Sequence, residues 1–96
     1  MKVRFITPAK LEYLEAIDYY NAEKSGLGYE FAIEVDHTIN RITEFPKAWQ
    51  KATERIRKCR LQRFPYGIFY EVRKTEILVI AVMHLHRKPE RWKDRI

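Results

Sequence analysis

The segment from Ile56 to Arg87, IRKCRLQRFPYGIFYEVRKTEILVIAVMHLHR, gathers side chains that can do chemistry on an anion. Period-two alternation along IRKCRLQRF puts Cys59 and Leu61 on one face and Lys58, Arg60 and Gln62 on the other. One face then belongs to a core and the other is basic, with Arg57 and Arg63 adding cations at either end. The run ILVIAVMHL is apolar on both parities, as expected of a strand covered on both sides, and it leads into His84, Leu85, His86 and Arg87. Fixed cations of this kind stabilise phosphates or carboxylates, and an imidazole near neutrality can pass a proton in either direction.

These strands need a layer to pack on, and the first half of the chain supplies it. KVRFI reads as a strand ending at Thr7-Pro8, where Thr7 is expected to cap a helix and Pro8 to occupy its first position. That helix is expected from Pro8 to about Lys24, with Leu11, Leu14 and Ile17, joined by Tyr13, Ala16 and Tyr20, as its core stripe. Ser25-Gly26-Leu27-Gly28 supplies a stop and reversal. A second helix is expected from about Tyr29 to Phe45, carrying Phe31, Val35, Ile39 and Ile42 at helical spacing. PKAWQKATER reads as a linker whose Trp49 closes over the core, and Pro89 as the opening of a short basic C-terminal helix bearing Trp92. The expected architecture is α+β: an N-terminal strand, an antiparallel helical hairpin, a three-stranded antiparallel meander and the short C-terminal helix.

Ninety-six residues fit one domain, taken as 1–96. The balance of 46% apolar and 33% charged residues argues against a disordered tail. A net charge of +6 and a pI near 9.6 point to acidic partners, either nucleic acid or an acidic protein segment. One cysteine excludes an internal disulfide, and its parity with Leu61 makes Cys59 a buried structural thiol. No zinc-type spacing is present, so neither metal nor cofactor is expected. No apolar run approaches the roughly 20 residues of a membrane span, and MKVRFITPAK lacks the apolar core of a signal peptide, so the expected location is cytoplasmic.

One ordered set of motifs narrows this further: Tyr19-Tyr20, Gly26-Leu27-Gly28, Cys59-Arg60-Leu61, Pro65-Tyr66-x-Ile68-x-Tyr70, and His84-x-x-Arg87-x-Pro89-x-x-Trp92. Nearly end to end, it resembles the RelE/ParE superfamily of toxins from bacterial type II toxin-antitoxin pairs. The resemblance implies the same strand, hairpin and meander, and a cognate acidic antitoxin as partner. It also implies one of two activities. RelE-like members cleave messenger RNA at the ribosome with basic residues on the sheet, whereas ParE-like members poison DNA gyrase without obvious catalytic residues.

Cleavage needs deprotonation of the 2′-hydroxyl, stabilisation of a pentacovalent phosphate and protonation of the leaving oxygen. Against the nuclease pattern, Lys58 and Arg60 match the basic pair on the first meander strand and Arg87 the arginine after the last, with His84 or His86 as acid or base. Gly67 stands where the nuclease has an arginine, and Trp92 and Lys93 stand near its C-terminal tyrosine. HRKPERW leans toward the ParE-like, plasmid-stabilisation group. The first expectation is therefore a gyrase-directed toxin that meets its target through Arg57, Lys58, Arg60, Arg63 and Arg87. The alternatives are a ribosome-dependent endoribonuclease using Lys58, Arg60, His84 and Arg87, and a non-toxic basic binding module. Tyr13, Tyr19, Tyr20 and Tyr29 are expected to line a groove for an antitoxin helix.

Overall fold

The computed structural model describes residues 1–87 and 91–96. In chain order it has strand β1 (Lys2–Phe5), helices α1 (Thr7–Glu23) and α2 (Leu27–Glu44), strands β2 (Gln50–Lys51), β3 (Ile56–Arg60), β4 (Tyr66–Val72) and β5 (Glu76–His84), and a short 3-10 helix, η1 (Arg91–Arg95). The five strands form one sheet in the order β1-β5-β4-β3-β2. β1 runs parallel to β5, and the other three pairings are antiparallel. The expected α+β fold is present, with β1 joined to the meander and β2 extending its far edge.

The apolar run of β5 explains the layering. Ile77, Val79 and Val82 face the hairpin and pack with Cys59, Ile68, Tyr70, Phe31, Val35 and Ile42. Leu78, Ile80, Ala81 and Met83 face the other way and form a second cluster with Ile56, Phe69 and Trp92. A bulge at Phe69/Tyr70 lets β5 keep both faces apolar while its register shifts. Trp92, on η1, is only 4% exposed and stacks on Phe69 with ring centroids 4.8 Å apart. The side of the sheet away from the helices, on which the basic face of β3 lies, thus holds a small core under a C-terminal lid.

Because β1 ends at Phe5, opposite Val79, the upper half of β5 would present an unpaired edge. Side chains close it. Glu12 of α1 accepts from the Val82 N–H at 3.0 Å, and Arg95 of η1 donates to the Ile80 carbonyl at 2.9 Å. Arg95 also grips both Glu12 carboxylate oxygens, at 2.9 and 2.7 Å. The bidentate pair ties hairpin, sheet edge and C-terminus together.

Several local expectations are corrected. α1 is capped at Ile6 without a side-chain bond, and Thr7 lies inside the helix. α2 starts at Leu27, two residues early, because Gly26 takes φ +86 and opens the helix at once. Leu11 and Leu14 are 53% and 46% exposed, outside the core. α1 carries apolar side chains around most of its circumference, and of its residues only Ala9 and Ala16 are fully buried in the core. β2 falls in the expected linker, too short to leave a period, while Trp49 does pack against the core. Pro89 lies outside the described residues.

Gly28 is where the helices touch most closely. A β-carbon there would collide with the Ile17 carbonyl oxygen and sit 2.6 Å from Asn21 Cγ, while the Gly28 N–H donates to Asn21 Oδ1 at 2.8 Å. Gly28→Ala is therefore expected to lower stability by about 1–3 kcal/mol in urea unfolding, although alanine is the better helix former. Unchanged or raised stability would contradict this packing.

Candidate functional site

The candidate residues divide between the two sides of the sheet. Lys58 and Arg60 lie on β3 opposite Phe69 and Gly67, on the side away from the helices. Leu85 occupies the space over Gly67: a β-carbon there would come within 2.8 Å of Leu85 Cδ2 and 3.4 Å of Lys58 Cγ. The position where the nuclease pattern has an arginine is filled by a leucine side chain. Trp92, near the pattern's tyrosine, is buried on Phe69 and has no hydroxyl to offer.

His84 is on the other side. Its ring meets Tyr66, part of the hairpin-facing core, edge-on at 5.3 Å. Arg87 follows it, with its guanidinium 6.0 Å from the Tyr19 ring. Both line a groove of ≈ 410 Å³ between α1 and the upper end of β5, with Glu12, Glu15, Tyr19 and Arg91. Arg57 shares the face of Tyr70 and donates to the Trp49 carbonyl at 2.8 Å. Arg63 pairs with Glu30 at 2.8 Å, and its N–H donates to buried Glu34. The five cations do not share one face: Arg57, Lys58 and Arg60 divide between the two sides of β3, Arg63 is held by Glu30, and Arg87 lies against α1.

Electrostatics follow from these positions. Burial lowers the His84 pKa, and the nearby Arg87 and His86 push it the same way. Its Nδ1 accepts the His86 N–H at 3.1 Å. Burial raises the Cys59 thiol despite the opposing influence of Arg41, so it is an inert core group. Burial also pushes the Tyr70 hydroxyl up to about 12; it donates to the Pro46 carbonyl at 2.6 Å and pins the turn after α2 to the sheet. Among the described residues no group of three His, Cys, Asp or Glu side chains can hold a metal ion, and no helix is long and apolar enough to cross a membrane.

The family model for the ParE toxin of the type II toxin-antitoxin system parDE matches residues 3–89. The chain belongs to the ParE toxin family. It is similar in fold to a solved chain of a chromosomal ParDE toxin-antitoxin system from P. aeruginosa, with TM-score 0.78 and 12% identity over 90% of this chain and 97% of that one. No curated protein matches in sequence.

For a ParE-family chain the tyrosines are informative. Tyr13 and Tyr20 pack into the aromatic core with Phe5, Phe31, Phe64 and Tyr66, whereas Tyr19 and Tyr29 are 46% and 67% exposed. The exposed apolar side chains of the hairpin also include Leu11, Leu14 and Ile33. Leu11 and Leu14 thus depart from the expected core stripe, and Ile33 lies outside the expected stripe of α2. Opposite-face placement of Tyr29 and Ile33 from Phe31, Val35 and Ile42 on α2 was a usable signal.

The His84 surroundings give a titration test. In a proton NMR titration its imidazole is expected to ionise below the ordinary histidine range near 6.5, and Arg87→Ala, by removing a neighbouring cation, to raise it. The folded state binds this proton more weakly than the unfolded chain. The His84 contribution therefore makes the fold less stable as pH drops through the ordinary imidazole range, and neutral above it. A His84 pKa at or above the ordinary value would contradict the placement.

Proposed function

We propose that this ParE-family toxin acts on DNA gyrase without itself cutting nucleic acid, and that a cognate acidic antitoxin neutralises it. One observation carries the reading: Lys58 and Arg60 lie across the sheet from His84 and Arg87. Phosphodiester cleavage needs base, acid and phosphate-stabilising cations within reach of a single phosphate. Two cations on one side of a strand layer and an imidazole on the other do not meet that need. The filled space over Gly67 and the buried Trp92 remove the remaining members of the nuclease pattern. A toxin that works by binding needs surfaces instead, and the hairpin offers apolar ones while the sheet margins offer cations.

The antitoxin is read from the same surfaces. An acidic segment suits a chain of net charge +6, and Tyr19 and Tyr29 with Leu11, Leu14 and Ile33 are the side chains an amphipathic partner helix would cover. The isolated chain is then expected to express poorly and aggregate, with yield restored by co-expression of the adjacent acidic partner.

Purified gyrase incubated with the chain is expected to accumulate cleaved DNA, while primer extension on messages from induced cells finds no cuts within codons. Codon-phased cuts without gyrase-dependent cleavage would reverse the assignment in favour of the endoribonuclease. Neither product, together with no growth arrest on induction, would leave a non-toxic binding module.

A further inference from the structure

The outer edge of the sheet carries cations on both of its faces. β2 pairs with β3 so that Lys51 stands opposite Arg57 and Gln50 opposite Lys58. Lys51 and Arg57 are therefore neighbours on the side toward the helices, and Lys58 and Arg60 occupy the other side. Lys47, in the turn after α2, joins the first group around an open cleft of ≈ 330 Å³ that also holds Glu54, Arg55 and Glu71. Like charges directly opposite each other on a strand pair cost stability.

Neither carboxylate of that cleft, Glu54 or Glu71, forms an ion pair with Lys51 or Arg57. Glu71 is engaged by Arg55 at 2.8 Å and Arg73 at 2.7 Å. Among the described residues, no ion pair includes Lys47, Lys51, Arg57, Lys58 or Arg60. Arg57 is half-buried and fixed by its bond to the Trp49 carbonyl, giving one preset guanidinium beside two exposed lysines.

We propose that this β2–β3 edge binds the phosphodiester backbone of duplex DNA. The edge would enter the major groove, with Lys47, Lys51 and Arg57 reaching one phosphate strand and Lys58 and Arg60 the other. That groove is about 12 Å wide and admits a two-stranded β-ribbon, whereas the deep, narrow major groove of A-form RNA does not. Charge on both faces is the feature that selects a groove with phosphates on either side, since a carboxylate-bearing peptide lies along one face. The inference stands apart from the gyrase reading: loss of DNA binding with gyrase poisoning intact removes only the former, and the converse only the latter.

The test is fluorescence anisotropy of the full chain with a short DNA duplex, an RNA duplex of equal length and an Asp/Glu-rich peptide, over a range of salt. The DNA duplex is expected to bind tightest, with log K falling against log salt at a slope of about −3 to −5. Lys47→Ala with Lys51→Ala, and separately Lys58→Ala with Arg60→Ala, are each expected to weaken binding at least about tenfold and flatten the slope by about 2, with melting not lowered. Wild-type affinity in either pair, equal or tighter binding of the RNA duplex or the peptide, or no DNA binding at physiological salt overturns the proposal. So does a variant that aggregates while its soluble fraction binds DNA normally, which assigns these lysines to protection of the sheet edge.

Discussion

A strand whose side chains are apolar on both parities cannot leave either face in water, and this constraint on β5 organises the molecule. The helical hairpin covers one face, chiefly through Phe31, Val35 and Ile42 of α2 with Ala9 and Ala16 of α1. The other face is smaller and falls to Trp92, brought there by η1 and set on Phe69. Glu12 and Arg95 fasten the two covers across the edge that β1 leaves open. At 15% and 23% side-chain exposure the pair is sheltered enough for its hydrogen bonds to matter and wet enough to avoid a heavy desolvation cost.

Function is shaped by that second cover. With Leu78, Ile80, Ala81 and Met83 buried under Trp92, the sheet has no open basic floor, and its cations move to the margins. Lys58 and Arg60 lie on the lid's side of the sheet, Lys51 and Arg57 flank the outer edge, Arg87 lies over Tyr19, and Arg63 is tied to Glu30. A catalytic phosphate site needs convergence, and this arrangement disperses. A protein that acts by contact loses nothing from dispersal, because separate surfaces can serve separate partners.

Much of the fold was legible in the sequence because periodicity reports burial directly. The double-faced apolarity of Ile77–Met83, the parity of Cys59 with Leu61 and the helical spacing of Phe31, Val35 and Ile42 all match their burial in the fold. What resisted was information carried between elements. β2 has two residues and no period, and the parallel docking of β1 on β5 depends on where the hairpin returns the chain. The side on which His84 falls depends on the Phe69/Tyr70 bulge and the register it sets, which no local pattern encodes. Trp92 read as part of a basic tail because its partner, Phe69, lies more than twenty residues earlier. The candidate residues stand out in the sequence as cations and imidazoles, but which of them lie together is a property of register.

The contact between Trp92 and Phe69 is where the account is most exposed. A double-mutant cycle with Phe69→Leu and Trp92→Leu, read by urea unfolding, isolates their coupling from the separate cost of each truncation. The account predicts sub-additive losses with a coupling of about 0.5–1.5 kcal/mol, as for a buried aromatic pair. Strictly additive losses, with Trp92→Leu nearly neutral by itself, would mean that the second face is not a core, and the dispersal of the cations would lose its physical cause.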